Sequence, residues 1–213
     1  LEELEPLTRR YHAVVANPPY LANMDAWLSD WVKKNYPDEK SDLCTCFIAR
    51  GLMFADDGGF IAVITSDTCM YISSFEKMRK AILDGSTIIS FIDTRGTNAH
   101  PDVFDANAGW ILQKGNQPNY EGAYFKLNQP IRDKQTALLE AVQNPDCGWF
   151  YRANQQDFKK LPGSPIAYWI GNNVRNAYLR GTTFGEIGHP KVGMQTSNNK
   201  KYLRMWWEVP DEE

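Results

Sequence analysis

The sequence predicts an α/β fold over about its first 115 residues, and three observations support this prediction. Short, continuous apolar runs such as Phe60–Ile64 are typical of parallel strands that are buried on both faces. Segments with apolar residues at helical spacing lie between these runs, so strands and helices alternate along the chain. The composition of the 213-residue chain, 43% hydrophobic and 23% charged, is that of an ordinary globular protein.

The first predicted strand, Tyr11–Ala16, ends at Asn17-Pro18-Pro19, because two prolines cannot continue a hydrogen-bonded ladder. A helix is predicted over residues 24–35, where five apolar residues fall at helical spacing: Met24, Trp27, Leu28, Trp31 and Val32. Ser41-Asp42 is predicted to cap a second helix, which runs to about Phe54.

The next elements complete the predicted sheet of the first half. In chain order they are a turn at Asp56–Gly59, a strand at Phe60–Ile64, a helix from Ser73 or Ser74 to Gly85, and strands at Ile88–Ile92 and Gly109–Gln113. Ser66 and Asp67 lie just past the carboxyl end of the second strand, which makes them candidates to line a site there.

Beyond residue 115 the sequence becomes more polar and less regular. The predicted elements of this part are a strand at Ala123–Leu127, a helix at 131–143, a break at Pro162–Pro165, a short helix at Asn172–Arg180 and a loop at Gly181–Asn199. We therefore predict a domain over residues 1–115, followed by a mainly helical and irregular basic extension over residues 116–213.

Positive charge is concentrated in the last third of the chain, although the whole chain has a formal net charge of −3. Residues 150–207 carry nine lysines and arginines against two acidic residues, Asp157 and Glu186. A basic surface of this kind is typical of proteins that bind a polyanion such as DNA. The alternative is a solvated surface with scattered basic side chains.

The sequence also excludes several classes of protein. No apolar run approaches the roughly 20 residues that a membrane helix needs. The four cysteines, Cys44, Cys46, Cys69 and Cys147, form neither a disulfide framework nor a paired zinc motif, which favours a reduced, cytoplasmic chain. The three histidines are isolated in the sequence, and no metal site is predicted.

Asn17, Pro18, Pro19 and Tyr20 follow directly on the first predicted strand. Open α/β sheets bind their ligands at the carboxyl ends of strands, so this tetrapeptide is the first candidate site. The side-chain oxygen of Asn17 and the carbonyl oxygen of Pro18 can both accept hydrogen bonds from a planar amine. Pro19 makes the second of these acceptors rigid. The alternative is a rigid turn without a ligand.

The tetrapeptide resembles motif IV of the amino-methyltransferases that use S-adenosylmethionine, and in particular the N6-adenine DNA methyltransferases. Three further runs resemble the helix and strand that follow motif IV in these enzymes: Ser41–Leu43, Phe47–Arg50 and Gly58–Ile64. Val103-Phe104 resembles their motif VIII loop. Two further runs resemble the BREX phage-exclusion methyltransferases of the PglX type and their type IIG relatives: Leu161–Trp169 and Gly193–Val209. The resemblance covers about Tyr11 to Val209.

The resemblance implies the C-terminal half of a Rossmann-like sheet, and transfer of a methyl group from S-adenosylmethionine to N6 of a flipped adenine in double-stranded DNA. It implies a catalytic role for Asn17, Pro18, Pro19, Tyr20 and Phe104, with Asn17 also at the methyl end of the cofactor. Tyr20 and Phe104 would stack on the two faces of the flipped base. It also implies DNA contacts from six residues: Thr196, Asn199, Lys200, Lys201, Tyr202 and Arg204.

The sequence departs from this family at both ends. The glycine motif that binds the cofactor lies upstream of motif IV in these enzymes, and nothing matches it in the ten residues before Tyr11. The usual Thr-Gly-Asp-Asn at the entry to target recognition is Thr196-Ser197-Asn198-Asn199. We therefore expect an internal piece of a longer enzyme that is inactive by itself. Its partners would be the N-terminal half and the target-recognition domain of the same protein.

Two other interpretations remain open from the sequence. Motif IV serves any planar amine, so the substrate is alternatively an RNA base or a protein glutamine. The chain is alternatively a degenerate methyltransferase domain that serves as a non-catalytic binding module. We also expect an apolar sheet edge beside Val14–Ala16, through which isolated chains would self-associate.

Overall fold

The computed structural model of the protein describes residues 5–94, 107–127, 133–182 and 184–189, together with residues 201 and 203. The chain divides into two compact units, Leu1–Leu179 and Arg180–Glu213. The first unit contains a sheet of six strands with helices packed on both faces.

The strands are β1 (Tyr11–Ala16), β2 (Ala55–Ser66), β3 (Ser86–Asp93), β4 (Asn107–Lys114), β5 (Glu121–Lys126) and β6 (Phe150–Asn154). The helices are α1 (Glu5–Thr8), α2 (Ala26–Asn35), α3 (Leu43–Phe54), α4 (Glu76–Gly85), α5 (Lys134–Gln143), α6 (Asn172–Arg180) and α7 (Phe184–Ile187). Short 3₁₀ helices span Asp67–Met70, Ser73–Phe75 and Gln155–Lys160. The α/β fold class predicted from the sequence is confirmed.

The six strands are hydrogen-bonded in the order β1-β2-β4-β3-β5-β6, and the sheet is mixed. β1 and β2 are parallel, with Val14 opposite Ile61 and Ala16 opposite Val63, which confirms the predicted pairing of these two apolar runs. β4 is antiparallel to both β2 and β3, whereas β5 is parallel to β3 and antiparallel to β6. β1 is therefore an edge strand of the described sheet.

Aspartate side chains mark the starts of three helices. Asp25, Asp42 and Asp133 precede α2, α3 and α5, and each accepts a hydrogen bond from a backbone N–H of the first helical turn. Such caps stabilise a helix by about 1 kcal/mol, because the first N–H groups otherwise lack partners. The cap predicted at Ser41-Asp42 is thus made by Asp42.

One face of the sheet, which we call the inner face, carries the main core. Gly51 lets α3 approach β2 closely, because a Cβ atom there would lie 3.0 Å from Ile61 Cγ2. The indole Nε1 of Trp110 donates to Thr65 Oγ1 at 2.9 Å, so the largest buried ring keeps its hydrogen bond. The buried side chains of this core include Ile48, Ile61, Met78, Leu83, Ile88, Phe91, Trp110 and Leu112.

The opposite, outer face of the sheet is covered at one end only. There α5 packs against β3, β5 and β6, around Phe125, Leu127, Ala137 and Ala141. Over β1, β2 and β4, the described residues leave apolar side chains exposed: Val15 is 79% exposed, Ile64 42% and Ile111 39%. These side chains alternate with buried or half-buried ones along their strands, so they point away from the core.

Arg79 of α4 joins the segment after β2 to a distant loop. Its guanidinium is buried and donates to four backbone carbonyls, those of Cys69, Ile72, Gly163 and Ser164. These carbonyl dipoles offset the cost of removing the charge from water. The backbone N–H of Ile166 also donates to Met70 O at 2.9 Å. The Leu161–Trp169 run is therefore fixed to the segment that follows β2.

Three features differ from the sequence prediction. The sequence predicts a turn at Asp56–Gly59, but these residues belong to β2. The pairing with β1 is irregular there, because Tyr11 lies opposite Ala55 whereas Ala13 lies opposite Phe60. The extra residues bulge out of the ladder, and Gly58 has a φ of 77°, which favours glycine. β6 was not predicted. The sheet also continues past residue 115, the predicted domain boundary, because β5 and β6 belong to it.

Among the described residues, no helix is long and apolar enough to cross a membrane. The same part of the chain contains no group of three or more His, Cys, Asp or Glu side chains that could hold a metal ion. The cysteines are free thiols, and three of them are buried: Cys44, Cys46 and Cys69.

Candidate active site

Asn17 lies one residue past β1, at the edge of the sheet where the parallel strands β1 and β2 have their carboxyl ends. Its side chain is exposed, and no described residue makes a hydrogen bond to the carboxamide. With Val15, Ile64 and Ile111 it lines a cleft of about 300 Å³ on the outer face. The carboxamide oxygen is therefore available to accept a hydrogen bond from a ligand.

The two prolines of the tetrapeptide differ in burial, since Pro18 is buried and Pro19 is exposed. Their rings fix the backbone φ angle, so the chain between Asn17 and Tyr20 has little conformational freedom to lose on folding. The acceptor role predicted for the Pro18 carbonyl depends on this rigidity.

Tyr20 is half-buried in a second cleft, of about 420 Å³, which we call the Tyr20 cleft. Burial, reinforced by Cys44 and Asp42, raises the pKa of the Tyr20 phenol, which therefore stays neutral at ordinary pH. A neutral phenol can stack on a base or donate a hydrogen bond. The residues that line the cleft are Tyr20, Leu21, Ala22, Asn23, Asp42, Ser66 and Thr68.

Ser66 and Asp67, both candidates from the sequence, lie in different surroundings. Ser66 lines the Tyr20 cleft, and its hydroxyl oxygen lies 2.9 Å from Thr68 Oγ1. Asp67 is 3% exposed, and its Oδ2 accepts a hydrogen bond from the hydroxyl of Tyr71 at 3.0 Å. Asp67 does not line the cleft, because it opens a 3₁₀ helix that turns into the core.

One carboxylate oxygen joins the loop after Tyr20 to the N-terminus of α3. Asp42 Oδ1 accepts hydrogen bonds from Cys44 N at 3.0 Å and from Leu21 N at 3.1 Å. Leu43 N donates to Leu21 O at 3.1 Å, so both backbone groups of Leu21 are bonded there. The sequence predicts Asp42 only as a helix cap, because a bond across 21 residues leaves no local signal.

Phe104 lies outside the described residues, so its predicted place opposite Tyr20 stays a prediction. The described residues on either side of this part of the chain are joined, since Thr94 N and Thr94 Oγ1 both donate to Asn107 O. Asn107 is paired with Ser66 at the end of β2. Both ends of the segment that carries Phe104 are thus anchored beside the Tyr20 cleft.

The tetrapeptide lies between the two clefts, with Asn17 in the outer-face cleft and Tyr20 in the Tyr20 cleft. The sequence predicts that Asn17, Pro18, Tyr20 and Phe104 line one concave site. The described residues bring the first three together at one strand end, and a cavity shared with Phe104 stays a prediction.

Of the six predicted DNA-contacting residues, Lys201 is described, and it is exposed. Lys201 belongs to the second compact unit, Arg180–Glu213. The DNA contacts of all six stay a prediction, because the other five lie outside the described residues: Thr196, Asn199, Lys200, Tyr202 and Arg204.

The fold is shared with a solved modification enzyme. The methyltransferase subunit of the type I restriction-modification system from Streptococcus thermophilus matches with a TM-score of 0.56 over 74% of this chain and 37% of its own. The sequence identity is 17%, so the match shows the fold alone. The six-stranded α/β sheet of this chain is therefore of the same class as part of that methyltransferase subunit's fold.

Sequence comparisons give the particular relatives. A protein-family model for the Eco57I restriction-modification methylase matches residues 4–100. The adenine-specific methyltransferase PglX from Lacticaseibacillus casei (strain Zhang) is 33% identical over 209 residues, and the adenine-specific methyltransferase BrxX from Escherichia coli O9:H4 (strain HS) is 32% identical over 209 residues. Each match covers 95% of this chain and 17% of the relative. The resemblance to adenine-specific methyltransferases of the PglX type is thereby confirmed.

Proposed function

We propose that this chain is the motif IV segment of a longer methyltransferase, which transfers a methyl group from S-adenosylmethionine to N6 of adenine in DNA. PglX and BrxX, which support the proposal, are named as adenine-specific methyltransferases, and the chain spans about 17% of their length. The restriction-modification family match supports DNA as the substrate. The whole enzyme would serve phage defence or restriction-modification.

One observation carries the proposal: Asn17 presents an exposed carboxamide at the carboxyl end of two parallel strands, directly before two prolines and Tyr20. The exocyclic amine of adenine is a poor nucleophile, because its lone pair is delocalised into the ring. The Asn17 oxygen and the Pro18 carbonyl, aimed at its N–H groups, favour a more tetrahedral nitrogen with an available lone pair. Preorganised dipoles of this kind are worth about 3 kcal/mol each in a transition state.

The described residues fit the methyl end of S-adenosylmethionine. Bound at this site, the cofactor would supply an electrophilic methyl group on a sulfonium. Asn17 would lie beside that methyl group. The adenine amine that Asn17 orients must be held in line with the sulfur–methyl bond, at near-attack distance from the methyl carbon. Most residues that line this cleft with Asn17, such as Val15, Ile64 and Ile111, are apolar, and none of the lining residues carries a charge that could pair with the methionine end. Those ends would be held by other parts of the longer protein.

The flipped adenine would enter the Tyr20 cleft. A target base must leave the duplex before its amine can be reached. Tyr20 is half-buried and faces a cleft of about 420 Å³, so its ring can serve as a stacking platform worth about 1–3 kcal/mol. Phe104 is the proposed platform for the other face, since the segment that carries it is anchored at Asn107, next to Ser66.

The remaining proposed contacts lie away from the tetrapeptide. Lysine and arginine side chains of residues 150–207, Lys201 among them, would bind the DNA phosphates, and this binding would weaken as the salt concentration rises. The N-terminal half of the same protein would cover the β1 edge and the exposed outer face, and its target-recognition domain would read the sequence. In the isolated chain, a second copy would pair with the β1 edge.

The proposal is tested in the full-length protein that carries this chain. Asn17→Ala should abolish methyl transfer while DNA affinity changes by less than about twofold, because the carboxamide acts in the chemical step. Transfer of tritiated methyl groups to duplex DNA is measured beside a fluorescence binding assay. Asn116→Ala is the matched control, because Asn116 is exposed just past the end of β4, away from the tetrapeptide.

Three outcomes would contradict the proposal. Transfer by Asn17→Ala at the rate of Asn116→Ala would show that Asn17 takes no part in the chemistry. Transfer by the unaltered enzyme to RNA or protein, in place of DNA, would identify another planar amine as the substrate. No transfer by the unaltered enzyme to any of the three would favour a non-catalytic binding module.

A further inference from the structure

A single buried carboxylate holds the backbone that follows Tyr20. Asp42 is 8% exposed, and its Oδ1 accepts from Cys44 N at 3.0 Å and from Leu21 N at 3.1 Å. The carbonyl of Leu21 accepts from Leu43 N at 3.1 Å. Leu21 is bonded to Tyr20 along the chain, so both backbone groups next to the ring are fixed to the N-terminus of α3.

This arrangement goes beyond a helix cap. Asp25 and Asp133 accept from Leu28 N and Gln135 N of the helices they precede, whereas Asp42 also reaches 21 residues back along the chain. The side chain of Leu21 is 36% exposed, so the backbone bonds add to a side chain that is only partly packed. A hydrogen bond to a charged and buried acceptor is stronger than one between neutral, solvated groups.

Asp42 also faces the ring that the loop carries. It lines the Tyr20 cleft together with Leu21 and Ser66. Its charge adds to burial in raising the pKa of the Tyr20 phenol. The residue that fixes the loop therefore forms part of the wall against which a base in the cleft would lie.

We propose that Asp42 is a positioning residue for the methyl-transfer site, and that it acts by holding the Leu21 N–H and with it the Tyr20 ring and the Pro18 carbonyl. This inference rests on the proposed function. A shift of about 1 Å in groups that orient a reacting amine can cost about 100-fold in rate. Asp42 should therefore act on kcat and leave the KM for DNA nearly unchanged.

The test uses the full-length protein and three variants. Asp42→Ser keeps a good cap for α3 but shortens the acceptor by one bond, which withdraws it from Leu21 N. Asp42→Asn keeps an oxygen at the Oδ1 position, so it can still serve both N–H groups. Asp133→Ser makes the same cap change on α5 and is the matched control.

Methyl-transfer kinetics give the first readout. Asp42→Ser should lower kcat about 10-fold or more, with the KM for DNA within about threefold of the unaltered enzyme. Asp42→Asn should recover kcat to within about threefold, because the acceptor geometry returns. Asp133→Ser should leave both parameters unchanged. Equal kinetics for Asp42→Ser and Asp133→Ser, or a change in KM alone, would overturn the positioning role.

Backbone hydrogen exchange, followed by mass spectrometry, gives a readout that does not need activity. Asp42→Ser should speed exchange in peptides that span Tyr20–Met24 about 10-fold, and Asp133→Ser should not. Unchanged exchange would overturn the inference even if kcat fell, because the loop would then be held by other contacts. If the unaltered enzyme transfers no methyl group, the proposed function and the positioning role both fail. The exchange result would still show whether Asp42 holds the loop.

Discussion

The two faces of the sheet differ in what covers them, and the difference can be followed along single strands. On β4, Trp110 is 1% exposed on the inner face, whereas the next residue, Ile111, is 39% exposed on the outer face. On β1, Val14 packs against the inner core and Val15 is 79% exposed. Strands with apolar residues on both sides are typical of sheets that are buried on both faces. The described residues cover the inner face much more completely than the outer face.

The open region lies at the same corner of the sheet as the candidate site. Asn17 lines the outer-face cleft together with Val15 and Ile111, whereas α5 covers the outer face at the far end, around Phe125. Contiguous exposed apolar surface is typical of an interface. We therefore expect the site to depend on further protein that covers this region, and three predictions test that dependence.

The largest effect should separate the isolated 213-residue chain from the full-length enzyme. The isolated chain should bind S-adenosylmethionine too weakly for calorimetry to detect and should transfer no methyl group. The reason is that the apolar neighbours of Asn17 cannot hold the charged methionine end of the cofactor. Calorimetry and tritium transfer to an adenine-containing duplex are measured for both proteins, with the full-length enzyme as the positive control.

Micromolar binding of S-adenosylmethionine by the isolated chain would contradict the expected difference between the isolated chain and the full-length enzyme. It would show that residues of this chain hold the whole cofactor, so the open face would be complete as a binding surface. Measurable transfer by the isolated chain would also contradict the expectation that this is an inactive piece of a longer enzyme.

A smaller effect should distinguish the two faces on β4. Trp110→Ala should lower the free energy of unfolding of the chain by about 3–5 kcal/mol, because it empties a core site. It also removes the donor to Thr65 Oγ1. Ile111→Ala should cost about 1 kcal/mol or less, since its side chain is partly solvated already. Urea unfolding followed by circular dichroism measures both variants. Equal losses would mean that Ile111 is covered in solution.

Much of the fold could be predicted from the sequence because its signals are local. Continuous apolar runs identify β1 and β2, and helices between such runs favour their parallel pairing, as observed between Val14 and Ile61. β6 has no comparable apolar run in the sequence, since Tyr151 is half-buried and Arg152 is exposed. This strand is recognised only by its hydrogen bonds to β5. The bulge at Asp56–Gly59 was predicted as a turn, because two glycines after two aspartates are typical of turns.

The candidate site could be predicted only in part. The tetrapeptide from Asn17 to Tyr20 is contiguous and follows an apolar strand, so its place at a strand end follows from the sequence. The bond from Asp42 to Leu21 could not be predicted, because it depends on how a long loop folds back onto α3. Asp67 was a candidate for the cleft, but the turn after β2 directs its carboxylate to Tyr71. The alternation of apolar and polar residues predicts which side chains lie on each face of a strand. It does not predict the direction of a side chain in a turn such as this one.

The smallest effect concerns self-association of the isolated chain through β1. This strand is at the edge of the described sheet, and Val15 on it is 79% exposed. Unpaired edges recruit other strands, so light scattering should show the isolated chain as a dimer or larger species at micromolar concentration. Val15→Lys should shift the chain towards the monomer while its free energy of unfolding changes by about 0.5 kcal/mol or less. Val142→Lys makes the same change on α5, at a residue that is 66% exposed, and should leave the association unchanged.

The two lysine variants separate edge pairing from a general effect of charge. A lysine on β1 opposes pairing because its ammonium group would lose water beside a second strand, whereas on α5 the same group stays solvated. A monomeric unaltered chain, or equal dissociation by both variants, would refute association through β1. In the full-length enzyme Val15→Lys should lower the melting temperature more than Val142→Lys, because covering protein would have to bury the lysine there. Equal melting temperatures would show that the outer side of β1 stays open to solvent in the whole enzyme.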